Sequence, residues 1–116
     1  MKTLRKRPSQ DSRVVKNKVG VNFCYLDSHV TSTGGGTYLT RALAARNETG
    51  ADVIVFLIPA SENAEKNRER IVRGRDDLMS AVRPLILPFK IVVLIGSNVE
   101  SAKAFFETKT WNDVKY

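Results

Sequence analysis

Two apolar runs, Val53–Ile58 and Ile91–Ile95, constrain this chain more than any other feature. Neither shows the polar–apolar alternation of a strand with one wet face, so each predicts a strand buried on both faces. Parallel sheets are covered in that way. Both runs fall far short of the ~18 residues that suggest a membrane span. Around them the spacing turns helical. Tyr38–Asn47 sets Tyr38, Leu39, Ala42 and Leu43 on one side, and Gly50 follows as a stop signal. From Ser61 a second helix is predicted, with a stripe of Ile71, Leu78 and Val82 beside Val72 and Met79. Gly74 weakens it by about 1 kcal/mol relative to Ala, which predicts a kink or interruption there. After the third strand, Ser97, Asn98, Val99 and Glu100 read as a capping box. The helix it starts would bury Val99, Ala102 and Phe105 or Phe106. Ahead of all these, Val19–Leu26 reads as the first strand, with Val21, Phe23 and Tyr25 on one face.

Strand and helix thus alternate three times, the grammar of a parallel sheet with right-handed crossovers. The expected fold is α/β: a small three-layer Rossmann-like domain over residues 18–116, its mainly parallel strands packed against helices. Three strands make a small sheet. Either a fourth strand lies in the Pro84–Phe89 region, or another subunit covers an edge, and homo-oligomeric association is the expectation. Phe23, Phe56, Phe105 and Phe106 fall at core spacing, and Cys24 lies within a strand as a buried thiol.

The charge is unevenly placed. Residues 1–18 hold Lys2, Arg5, Lys6, Arg7, Arg13, Lys16 and Lys18 against Asp11 alone, which accounts for six of the seven net positive charges. The rest of the chain is nearly neutral. With few apolar residues, residues 1–17 are expected to form a flexible basic tail. Such an arm suits a phosphate backbone, and these seven cations are the candidate nucleic-acid contacts. A solubilising terminus or an arm for acidic protein or lipid surfaces fits the same composition. No secretory signal or membrane span is read, so a cytoplasmic location is expected. One cysteine and one histidine exclude a disulfide framework and a two-histidine metal site, and no metal or cofactor is expected.

Ligands of open parallel sheets bind beyond the carboxyl ends of the strands. There the first strand enters a loop, Asp27 to Thr37, with three consecutive glycines, five hydroxyls and the single imidazole. Ser32, Thr33, Gly34, Gly35, Gly36 and Thr37 are the candidate phosphate cradle, because glycines let backbone N–H groups approach an anion at a helix start. The P-loop lysine and the spaced dinucleotide glycines are both missing. Ser97 and Asn98, after the third strand, add hydrogen-bonding groups at the same rim. Asp27 and His29 are the candidate acid/base pair, with Glu62 the nearest further acid. Tyr25, near its strand end, offers a ring on which a base could stack. Trp111 and Tyr116, beside Lys109 and Lys115, read as a partner-binding element or a loosely packed end.

The segment order of Val19–Leu26, the Asp27–Gly36 loop, Val53–Pro59, Arg68–Pro84 and Ile91–Gly96 followed by Ala102 resembles the first part of the uracil-DNA glycosylase-like superfamily. The resemblance spans residues 19 to about 107 and implies a nucleic-acid-related α/β fold. Pro59 and Ala60 stand where that family would place a base-reading Asn, and no His-Pro-Ser-like motif follows before Tyr116. It therefore implies no working glycosylase. Universal-stress-type nucleotide-binding domains share the same rhythm. Three functions remain open: a nucleic-acid-binding module without catalysis, an oligomeric assembly protein with a basic arm, and an enzyme binding a nucleotide or phosphate through the 27–37 loop.

Overall fold

The computed structural model describes residues 12–27, 35–58 and 64–115. The elements are β1 (Val14–Lys16), β2 (Asn22–Asp27), α1 (Gly35–Thr49), β3 (Val53–Ile58), α2 (Ala64–Val82), β4 (Lys90–Ile95) and α3 (Val99–Phe106), then a single 3-10 turn, Trp111–Asp113. The protein is a small α/β domain built on one four-stranded sheet. Its strands lie in chain order, β1-β2-β3-β4, with β1 antiparallel to β2 and the other pairs parallel.

The two uninterrupted apolar runs became neighbours, as their composition requires. β3 is buried over its whole length, with Ile54 beside Cys24 on one side and Ile91 on the other. Both crossovers step the same way across the sheet, so α1 and α2 share a face. Tyr38, Ala42 and Ala45 of α1 meet Leu78 and Val82 of α2 there, over Cys24, Ile54, Phe56 and Ile91. On the opposite face Ala102 and Phe106 of α3, with Val114, cover Phe23, Val55, Leu57 and Val92. Gly96 has φ +80, a left-handed conformation that glycine adopts at little cost, and turns the chain out of β4 toward α3.

Several expectations change on folding. The fourth strand is Val14–Lys16, not Pro84–Phe89. Leu85 and Ile86 stand exposed, and only Phe89 of that segment is buried. Two prolines deny a ladder its N–H donors there. Composition places Val14–Lys16 in the tail, and Val19 and Gly20 in the first strand. They are instead an edge strand and the turn of a hairpin, with Gly20 at φ +88. Asn17 holds that hairpin. Its side-chain oxygen accepts from the N–H groups of Val19 and Val21, at 3.1 and 2.8 Å. Its Nδ2 donates to the carbonyls of Phe106 and Lys109, at 2.9 and 2.8 Å.

α2 runs without a break through Gly74, which is buried on the same side as Ile71 and Leu78. The capping box of α3 is one residue later than expected. Asn98 is the N-cap, its oxygen accepting from the Ser101 N–H at 2.8 Å while Ser101 Oγ accepts from the Asn98 N–H at 3.1 Å. Phe106 is buried in that helix, while Phe105 and Val99 are exposed.

Candidate functional site at the carboxyl rim of the sheet

Register brings the strand ends together. Asp27 pairs with Leu57, and Ile58 with Ile95, so β2, β3 and β4 end along one rim. From that rim the chain enters residues 28–34, 59–63 and 96–98. His29, Ser32, Thr33 and Gly34 lie outside the described residues, as does Glu62. Gly35, Gly36 and Thr37 form the first turn of α1, so the last two glycines start a helix rather than continue a loop.

Asp27 is exposed at the end of β2, and its carbonyl accepts a hydrogen bond from Arg41 Nη2 at 2.8 Å. Sequence reasoning passed over Arg41. Its guanidinium also stands 5.2 Å from the centroid of the Phe56 ring, which Tyr38 meets edge-on at 4.9 Å. The signal was one helical turn, Tyr38 to Arg41, but only packing shows that this turn overlies the strand ends. Arg41 is thus a preorganised cation at the rim, half-buried and carrying two separate supports. Ser97 is half-buried beside Gly96. The Asn98 side-chain oxygen accepts from the Ser101 N–H as the cap of its own helix.

β1 adds a further chain segment to this rim. It runs antiparallel to β2, and the pairing continues upstream, where the Tyr25 N–H donates to the Arg13 carbonyl at 2.9 Å. The chain therefore approaches β1 from the rim, and Ser12 lies where β2 is ending. Of the seven expected tail contacts, Lys2, Arg5, Lys6 and Arg7 lie outside the described residues. Arg13 pairs with Glu48 at 3.0 Å and Lys18 with Glu107 at 3.3 Å. Lys16 is exposed on β1. Pairs this open are worth at most about 1 kcal/mol.

Tyr25 is too deep to serve as a stacking platform. Only 7% of it is exposed, and its ring lies nearly parallel to Phe23, centroids 6.2 Å apart. Burial pushes its phenol from 10.0 up to about 12. The folded state holds that proton more tightly than the unfolded chain, so this contribution is complete below pH 10 and is lost as pH rises through about 12. Tyr25→Phe is expected to remove that part of the alkaline loss of stability. Urea denaturation of both proteins on either side of this window checks it; parallel losses would contradict the assignment.

Trp111 is tied down at the opposite end of the sheet, and Tyr116 lies outside the described residues. Trp111 Nε1 donates to the Asp52 carbonyl at 3.2 Å, and the Lys90 ammonium stands 4.2 Å from the indole centroid. That ammonium donates to the carbonyls of Trp111 and Val114 at 2.6 and 2.8 Å. Burial lowers the Lys90 pKa, and the Lys115 charge lowers it further.

Among the described residues no helix is long and apolar enough to cross a membrane, and no group of three or more His, Cys, Asp or Glu side chains is placed to hold a metal. No family model, curated protein or solved structure matches this chain.

Proposed function

We propose that this is a nucleic-acid-associated protein with a Rossmann-like sheet. It binds the phosphate backbone at the carboxyl rim through the basic arm and the Gly-rich loop, without a catalytic step. One observation carries the reading: the antiparallel pairing of β1 roots the arm at the rim from which the 28–34 loop also leaves. Ser12, the end of β2, the start of α1 and the anchored Arg41 thereby share one rim, although some thirty residues of sequence separate the first from the last. Lys2, Arg5, Lys6, Arg7 and Arg13 precede β1, whereas Lys16 and Lys18 lie toward the opposite end of the sheet, so the first five are the cations offered to a polyanion at the rim. Arm contacts reach phosphates rather than base edges, so sequence preference is slight.

The test is anisotropy of a labelled duplex and a labelled single strand at two salt concentrations. The parent is compared with a variant in which Lys2, Arg5, Lys6 and Arg7 are all changed to Gln. With four phosphates neutralised, duplex affinity of the parent should fall about a hundredfold between ~50 and ~200 mM salt. The variant should lose most of that dependence and most of the affinity. Equal binding by the two proteins would overturn the reading.

A further inference from the structure

The sheet has two edges, and they are finished differently. β1 is short, three residues with Lys16 on it, which blunts its edge. β4 is twice as long, and from Ile91 to Ile95 it carries no lysine, proline or charge. Lys90, at its start, is turned toward Trp111 and Val114. The Lys90 N–H donates to the Asp52 carbonyl and the Gly96 N–H to the Ile58 carbonyl, so the even-numbered residues of β4 direct their backbone groups at β3. Strand alternation then directs the N–H and C=O of Val93 and Ile95 away from the sheet. They meet no backbone partner among the described residues.

A groove of about 400 Å³ follows this edge. Val92 and Leu94 form its apolar floor, with Met79 on one side and Phe105 on the other. Phe105 is 59% exposed, unlike its buried neighbour Phe106. The groove's charged members are Arg75, Lys109 and Lys115 against Asp113 alone. The Asp113 carboxylate accepts from the Thr110 N–H at 3.1 Å, and that bond holds its pKa below the usual carboxylate range. Lys109 lies 4.8 Å from the Phe105 ring centroid, and Arg75 keeps only a loose 3.8 Å contact with Asp76.

We propose that the β4 edge takes an extended segment of another protein, alternating apolar and acidic side chains, as a fifth strand of the sheet. Outward backbone groups at Val93 and Ile95 supply the ladder. The carboxylates take the face of Phe105, within reach of Lys109 and Lys115, and the apolar side chains take the opposite face, beside Val93 and Met79. Charge decides against a second copy as occupant. Two-fold pairing of β4 with itself would set Arg75, Lys109 and Lys115 against their own images. The proposal is independent of nucleic-acid binding, since two strands separate this edge strand from β1.

The probe is a labelled peptide of about seven residues with alternating valine and glutamate, and its control alternates valine and lysine. The full-length protein is titrated by anisotropy at about 0.15 M salt, with sedimentation recording its oligomeric state. The acidic peptide should bind at least about tenfold more tightly than the basic one. Changing Lys109→Glu together with Lys115→Glu should reduce or invert that preference. Val93→Pro removes an outward N–H without touching the β3 ladder and should abolish binding while thermal unfolding stays cooperative. Should that variant fail to fold, an acidic peptide N-methylated at alternate residues makes the same test and should not bind. Equal binding of both peptides, indifference to the lysine reversals, binding of neither, or a dimer through β4 that excludes the peptide would each overturn the proposal.

Discussion

Ile54→Asp is expected to prevent folding. Ile54 is wholly buried in the middle of β3, between Cys24 and Ile91, and faces the layer formed by α1 and α2. An aspartate there loses its hydration and gains no cationic partner, at a cost of several kcal/mol for the polar group alone. The lost apolar packing adds about 2–3 kcal/mol more. Against a typical stability of about 5–15 kcal/mol this leaves little native population. Circular dichroism and a thermal melt would show a chain without a cooperative transition. The same change at Val93 reads as equivalent from sequence, since both residues stand inside apolar runs. It should cost much less, because Val93 is half-buried on the edge strand, where a carboxylate can turn to water. A parent-like melt for Ile54→Asp would remove β3 from the core.

Deleting residues 1–18 should cost roughly 4 kcal/mol or more, whereas deleting residues 1–11 should shift the melting temperature by no more than about 3 °C. The difference is β1. The longer deletion removes Val14 from the core and strips β2 of its antiparallel neighbour. It also removes the four hydrogen bonds of the Asn17 side chain and the bond from the Lys18 N–H to the Glu107 carbonyl at 2.9 Å. Differential scanning calorimetry of the two truncations separates them. If both melted with the parent, the hairpin would contribute nothing to the domain. Any assignment of nucleic-acid binding to the arm must therefore use the shorter deletion, or loss of fold would pass for loss of contact.

The amino-acid order was sufficient for features that depend on many residues acting alike. A run such as Val53–Ile58 has no polar face to leave in water, so it had to become an inner strand. Ile71, Leu78 and Val82 repeat at helical spacing, so α2 had to bury that side, and Gly74 on the same side did not break it. Those two signals were enough for the α/β class. They were also enough for a rim where strand ends meet helix starts.

Other features turn on single contacts between distant parts of the chain, and only the tertiary structure decided them. Val14–Lys16 has neither the length nor the alternation of a strand. It is one because β2 offers an unpaired edge, and because Asn17 can reach the carbonyls of Phe106 and Lys109 some ninety residues on. Moving the cap from Ser97 to Asn98 costs little locally, since either side chain can accept from a helix N–H. The docking of α3 on the sheet decides which of Phe105 and Phe106 enters the core and which one faces the β4 groove. Arg41 is one polar helix residue among several until α1 docks over Phe56 and the end of β2. Periodicity sums over a segment and survives local error, so the sequence alone determined which faces are dry. Which strand borders which, where the arm is rooted and which edge stays open depend on pairings whose energies arise only once the chain has closed on itself.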